Sequence, residues 1–288
     1  MAEILKNVLL KNLTTFQIGG KAEYFFEAQS KEEIIKTIQM AKQKNLPFFI
    51  LGGGSNVLFS DKGFKGLVIK TQNSKLKTQN SKIQAEAGAS LKELVSAAAE
   101  NGLAGLEWAT GIPGTVGGAI YGNAAAFSKS MLDIVEKVEI FDSQELKIKN
   151  YQSEDCQFDY RKSIFKENKN LIILSAVLEL EKGDKDEINE KIEEFFKYRR
   201  ERHPLQFPSA GCVFKNPENA SAAQLIEKCG LKGKKIGQAQ VSEKHANFII
   251  NLGEARSQDI LELIELIKNK IRNKFGLELE KELEVIHY

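Results

Sequence analysis

Cys212 sits in the run Pro208-Ser209-Ala210-Gly211-Cys212-Val213-Phe214-Lys215-Asn216-Pro217, a thiol among small residues with a cation three positions on. A neighbouring positive charge would lower such a thiol's pKa and make it reactive, whereas apolar burial would leave it inert. Both readings stand at this level. Arg161, in Asp159-Tyr160-Arg161-Lys162-Ser163, is one of only six arginines in a lysine-rich chain. Where lysine serves elsewhere, an arginine hints at the planar fork that grips carboxylate or phosphate; a surface arginine is the plainer alternative.

Two glycine-rich segments could admit an anionic ligand. Gly52-Gly53-Gly54-Ser55-Asn56 directly follows the apolar run Phe48-Phe49-Ile50-Leu51. Successive glycines let backbone N–H groups converge on an anion, and Ser55 and Asn56 add side-chain donors. The third glycine of a Rossmann fingerprint would fall on Val57, and no GK[ST] closes a Walker loop. The second segment reads Gly111-Ile112-Pro113-Gly114-Thr115-Val116-Gly117-Gly118-Ala119, then Gly122-Asn123-Ala124-Ala125-Ala126. It is almost free of charge and too rich in small residues to build a core alone. One such loop is a tight structural turn as readily as a site. Two in one chain favour a dinucleotide or flavin diphosphate.

The elements that must hold these residues are partly legible. Ile34, Ile35, Ile38 and Ala41 line one face of a helix from Lys31 to about Asn45. Strands are expected at 48–51 and 66–69, with the first glycine loop between them. Residues 70–75 (KTQNSK) recur as 77–82, read as a solvated hairpin or loop without function. Ser90 and Glu93 form a capping box for a helix ending near Asn101-Gly102. Strands follow at 135–141 and 171–180, then a charged stretch at 182–187 leading into a helix through Arg200. Helices are expected at 221–229 and 257–275, the second with Ile260, Ile264, Ile267 and Ile271 as its stripe and Gly276 as its stop. A strand is expected at 247–252 and a last one at 278–286. The pattern is α+β with at least two domains, which 288 residues at roughly 150 per domain also favours.

Composition excludes several classes. Lys and Arg number 41 against 39 Asp and Glu, a net charge of +2, which argues against a nucleic-acid-wrapping protein. Three cysteines without CxxC spacing make neither a disulfide framework nor a zinc ribbon, so no metal is expected. Lys6 and Lys11 break the N-terminal apolar run, and no run approaches 18 apolar residues. A cytoplasmic protein with reduced thiols is expected, in contact with neither membrane nor nucleic acid.

Seven segments together resemble one family, the UDP-N-acetylenolpyruvoylglucosamine reductases (UDP-N-acetylmuramate dehydrogenases). In order they are TTFQIGG (14–20), ILGGGSNVLFSD (50–61), GLEWATGIPGTVGGAIYGNAAAF (105–127), DYRKSIF (159–165), SAGCVFKNP (209–217), KIGQAQVSEKHANFIIN (235–251) and LEKELEVI (279–286). The length resembles the family's shorter form, which lacks an inserted substrate loop and its tyrosine.

This resemblance implies a two-subdomain flavin-binding domain of the vanillyl-alcohol oxidase (PCMH) type over 1–182, its subdomains divided near 66–70. A smaller α+β substrate domain would follow over 183–288, its last strand carrying Glu282. NADPH would reduce non-covalent FAD. The enolpyruvyl ether of the UDP sugar would then gain hydride at C3 and a proton at C2, giving UDP-N-acetylmuramate for peptidoglycan synthesis in a ping-pong scheme. Gly52, Gly53, Gly54, Ser55 and Asn56, with Gly111, Ile112, Pro113, Gly114, Thr115, Gly117, Gly118, Ala119, Asn123 and Ala124, would hold the cofactor.

The same resemblance implies roles for individual side chains. Arg161 would steady the negative charge developing on the substrate carboxylate. Glu282 would act beside it, protonated or sharing a proton, since an ionised carboxylate there would repel that charge. Cys212 stands where many members carry serine and would supply the C2 proton. Arg202, Lys215 and Asn216 match substrate-contact positions. His245 and Asn247 line the pocket or pack behind it. A monomer or weak oligomer is expected. Two other readings remain at this stage, another FAD oxidoreductase of the same fold and a non-catalytic UDP-sugar sensor.

Overall fold

Short-range signals set several elements where the sequence places them. In the computed structural model, which describes residues 3–287, Ser90 and Glu93 close a reciprocal capping box on the helix Leu91–Glu100. Ser30 accepts from the Glu33 amide to start Lys31–Gln43, which buries Ile34, Ile38 and Ala41. The helix Ser257–Phe275 buries Ile260, Ile264, Ile267 and Ile271 and stops at Gly276, whose φ of 69° suits a residue without Cβ. No described helix is long and apolar enough to cross a membrane.

The chain divides into two compact units. Among the described residues the first comprises 3–4, 26–53 and 67–199. Its main sheet is antiparallel, in the order Lys147–Gln152, Val135–Asp142, Leu171–Glu179, Lys82–Glu86, Leu76–Gln79. Leu94, Trp108, Ile120, Val138 and Leu178 belong to the core on this sheet. In the same unit Phe48–Leu51 pairs in parallel with residues 67–70 of the strand Phe64–Thr71, Phe48 opposite Leu67 and Leu51 opposite Lys70.

The second unit comprises 5–25, 54–66 and 200–287 of the described residues. Its sheet runs Ser209–Cys212, Phe248–Asn251, Ala239–Val241, Lys235–Ile236. A hairpin sets Leu5 opposite Phe25 and Leu9 opposite Lys21, and Val57–Phe59 pairs in parallel with Glu284–Ile286. Phe16, Ile18, Leu58, Phe214, Ile249 and the isoleucine stripe of Ser257–Phe275 share one core.

These units are not the contiguous pieces 1–182 and 183–288. Ile192 and Phe195, beyond the charged stretch, pack on the first core, while Phe16 and Ile18 from the N-terminal end lie in the second. Burial of apolar side chains therefore overrides chain order. The last strand is also shorter than expected, Glu284–Ile286, so Glu282 lies two residues before it. Leu279 and Leu283 both belong to the second core, although only Glu284–Ile286 pairs as a strand.

The two KTQNSK copies have different fates. The second forms the hairpin Leu76–Gln79 with Lys82–Glu86, turning at Asn80 with φ 56°. The first is solvated only in part: Ser74 and Lys75 are exposed, but Thr71 and Asn73 are buried, and Asn73 Nδ2 donates to the Leu174 carbonyl at 3.2 Å.

Asp61, in the second unit, holds the start of Ser257–Phe275. Its carboxylate accepts from the Ser257 amide at 2.9 Å and from the Ser257 hydroxyl at 2.8 Å. Asp61→Ala is expected to cost about 1–2 kcal/mol of stability, the scale of a lost charge-assisted cap. A thermal melt should show the midpoint falling by roughly 3–6 °C. An unchanged midpoint would show that solvent replaces the carboxylate.

Candidate active site

In the first unit the two glycine segments meet. A Cβ on Gly52 would lie 2.5 Å from Thr115 Oγ1, and one on Gly53 would lie 2.7 Å from Gly114 Cα. Both contacts are below what any real side chain tolerates, so glycine here serves close approach of backbone to backbone. The second segment is not wholly loop. Thr115 accepts from the Gly118 amide and caps the short helix Val116–Tyr121, which buries Val116, Ala119 and Ile120. The Val116 and Gly117 amides bond the Ala89 and Ala87 carbonyls. Ile112 likewise donates to Ala109. The N–H groups of 116–118 are thus spent inside the protein. The Gly53 amide, by contrast, has no protein acceptor among the described residues.

Asn123 and Ala124 have structural duties. Buried Asn123 donates from Nδ2 to the Asp159 carbonyl at 2.9 Å and accepts from the Leu132 amide at 3.0 Å. It ties the glycine segment to the turn that carries Arg161. Ala124 donates its amide to the Ala119 carbonyl and packs on the core. Pro113 is exposed, and Gly111, with φ 71°, is crowded by Arg199 Cδ, which would lie 3.0 Å from its Cβ. Arg199 itself is buried and donates from Nη2 to the Trp108 carbonyl at 3.0 Å.

Arg161 occupies a turn closed by reciprocal amide–carbonyl bonds between Asp159 and Lys162. Its φ of 55° is left-handed, unusual for a residue with a side chain. Nη1 and Nη2 both donate to the Ala125 carbonyl at 3.3 Å. The fork is thereby steered by the end of the glycine segment, and the guanidinium carbon stands 5.6 Å from the Tyr160 ring centre.

In the second unit, Cys212 and Glu282 come from segments laced together. The Glu282 amide donates to the carbonyl of Val213, the residue after Cys212, at 2.8 Å. Lys215 donates its amide to the Glu280 carbonyl, and Phe214 bridges Lys281. Asn56 Nδ2 adds a bond to the Glu282 carbonyl at 3.0 Å. Cys212 is half-buried at the end of Ser209–Cys212, where the register against Phe248–Asn251 shifts and Gly211 takes φ 76°. Such an irregularity re-aims the side chain that follows it. Gly54 has no room for a Cβ, which would fall 2.2 Å from the Leu13 carbonyl oxygen. The amides of Gly54, Ser55 and Asn56 have no protein acceptor among the described residues.

The remaining expected residues divide. Lys215 is ion-paired with Glu280. Exposed Asn216 accepts from the Ala222 amide at 3.0 Å, steadying the entry to the helix Ala222–Lys228. Arg202 is exposed at the end of Lys185–Arg202. Asn247 packs: its amide brackets Phe214, donating to the carbonyl at 2.8 Å and accepting from the N–H at 3.0 Å. His245 lies edge-on to His203 and Phe248. Burial pushes its pKa down, helped by the Lys232 charge and opposed by a backbone hydrogen bond. One positioning contact had no signal in the sequence: Thr15 Oγ1 donates to the Ser209 carbonyl at 2.7 Å, bracing the strand that ends at Cys212.

Known proteins resemble the chain throughout. A family model for the C-terminal domain of UDP-N-acetylenolpyruvoylglucosamine reductase matches residues 203–286, and one for an FAD binding domain matches 22–145. The UDP-N-acetylenolpyruvoylglucosamine reductase of Caldanaerobacter subterraneus subsp. tengcongensis is 44% identical, covering 99% of this chain and 96% of its own. That of Caldicellulosiruptor bescii is 45% identical over 99% of this chain and 91% of its own. The crystal structure of UDP-N-acetylenolpyruvylglucosamine reductase (MurB) from Thermus caldophilus superposes with a TM-score of 0.82 at 36% identity, covering 99% of both chains.

Proposed function

This chain belongs to the UDP-N-acetylenolpyruvoylglucosamine reductases, and from that premise we propose how its own residues carry out the NADPH-dependent, FAD-mediated reduction that yields UDP-N-acetylmuramate for peptidoglycan. The observation that carries the assignment is the lacing of the Glu282 segment to the carbonyl beside Cys212, which puts a thiol and a carboxyl on adjoining backbone.

The glycine segments fit FAD. Gly52 and Gly53 leave no space for side chains against Gly114 and Thr115, and the amides of Gly53, Gly54, Ser55 and Asn56 remain as donors for phosphate oxygens. Gly111, Ile112, Pro113, Gly117, Gly118, Ala119, Asn123 and Ala124 support the fold of that cradle. Bound FAD supplies a hydride that originates on NADPH. No histidine is called on to attach it.

The substrate's C2=C3 bond is consumed as hydride arrives at C3 and a proton at C2. Charge passes meanwhile onto the adjoining carboxylate. Arg161 presents a fixed cation to that carboxylate, its fork oriented in advance by the Ala125 carbonyl, so little reorganisation accompanies the transition state. Cys212 gives its thiol proton to C2 and regains one from solvent. A thiol, with an ordinary pKa of about 8.5, releases a proton far more readily than the hydroxyl of serine. Glu282, on the backbone laced to that of Cys212, acts beside the developing acid oxygen. Arg202, Lys215 and Asn216 contact the UDP sugar, Lys215 by exchanging its Glu280 partner for phosphate.

Anaerobic stopped-flow absorbance tests the whole scheme. NADPH should bleach the flavin of the purified yellow protein, and UDP-N-acetylenolpyruvoylglucosamine should restore it rapidly. Bleaching without restoration would leave a flavin reductase for another acceptor. A protein that binds no FAD would overturn the reading altogether.

A further inference from the structure

Lys70 opens the first KTQNSK copy, and its position differs sharply from that of Lys77, which opens the second in an exposed hairpin. It lies at the carboxyl end of Phe64–Thr71, opposite Leu51, the residue before the first glycine segment. Ligands of open α/β sheets collect outside the carboxyl ends of parallel strands. Its Nζ reaches the Gly52 carbonyl at 3.4 Å, a long bond that uses one of three donors. Among the described residues no carboxylate lies within 4.0 Å of it. Lys70 is half-buried, and a desolvated cation without a close counter-ion is costly unless an anion completes it. Burial lowers its pKa, with the charge of Glu27 acting in the opposite sense.

We propose that Lys70 is a binding residue for a diphosphate, that of FAD, held over Gly52 and Gly53 where the two glycine segments close on each other. This rests on the assignment of FAD to those segments. The glycines there leave a surface of bare backbone without a charge of its own, and Lys70 supplies the charge. FAD, NADPH and the UDP sugar all carry diphosphates, so the test separates them.

The FAD dissociation constant of the full-length protein is read by flavin fluorescence, for wild type, Lys70→Met and Lys70→Arg. Loss of one charge-assisted contact should weaken FAD about 30-fold in Lys70→Met, with a shallower dependence on salt. Lys70→Arg should stay within about threefold of wild type because it keeps the charge. Affinity for UDP, measured on each protein saturated with FAD, should not change. FAD binding by Lys70→Met within threefold of wild type would overturn the inference, as would equal losses in both variants. Weakened UDP with unchanged FAD would move Lys70 to the other diphosphate and refute the assignment made here. If wild type itself binds no FAD, the underlying cofactor reading fails first.

Discussion

Cys212→Ala is expected to be reduced by NADPH at the wild-type rate and to be reoxidised by the enolpyruvyl substrate about 10³-fold more slowly. The split follows from where the thiol acts. Without a proton donor at C2, hydride addition to C3 would leave uncompensated charge on the substrate and return to the flavin unless water supplied the proton, so net reoxidation should be slow. Alanine keeps the backbone at the register shift after Gly211, so the fold around Val213 and Glu282 should persist. Cys212→Ser should stay within about tenfold of wild type, since it retains a positioned donor. Iodoacetamide or peroxide should silence the wild-type enzyme and spare Cys212→Ser, because the half-buried sulfur can be reached. The two half-reactions are followed separately by the flavin spectrum. Equal, deep losses in the serine and alanine variants would show that sulfur is needed for something other than its proton.

Arg161→Met should slow the same oxidative half-reaction roughly 10²–10³-fold, leaving reduction by NADPH intact. Two N–H groups directed at the Ala125 carbonyl hold the guanidinium before substrate arrives, so its cation is present without rearrangement. Arg161→Lys tests whether charge alone suffices. It keeps the cation and loses the fork, and is expected to recover only part of the rate, remaining about 30-fold down. Both variants keep a side chain at φ 55°, so the strain of the turn is common to all three proteins. Single-turnover kinetics with saturating substrate provide the comparison. A methionine variant as fast as wild type would remove Arg161 from the chemistry and leave it as a tie between the turn and Ala125.

Much of the helical framework was legible because its causes are local. The Ser90–Glu93 box spans three residues, and the stripe Ile260, Ile264, Ile267, Ile271 with Gly276 states both face and stop of Ser257–Phe275. The glycine segments were legible as unusual backbone, and the seven matching segments identified the family without any contact being known. What sequence could not give were partnerships across long separations. Thr15 meets Ser209, and Asn56 meets the Glu282 carbonyl, 194 and 226 residues apart. Nothing in a window of ten or twenty residues encodes such a bond.

Asparagine shows the limit most directly. Asn73 and Asn80 occupy the same place in identical hexapeptides, yet one is buried on the Leu174 carbonyl and the other makes a turn. Asn123, read as a cofactor-binding residue, and Asn247, read as lining the pocket or packing behind it, are committed at both ends of their amides to the protein's own backbone. An amide side chain is equally suited to a ligand, a buried carbonyl or a left-handed turn, and burial selects among them. The division into units follows the same rule, with the whole segment 5–25, Phe16 and Ile18 included, grouped with the C-terminal part of the chain and not with the residues that follow it. Sequence by itself determined most of the α+β elements, the two glycine segments and the family, and it singled out the candidate side chains Arg161, Cys212 and Glu282. Tertiary structure alone decided which backbone groups stay open for a ligand, that Glu282 precedes its strand, and which polar groups hold the fold, because those outcomes depend on what else is buried beside them.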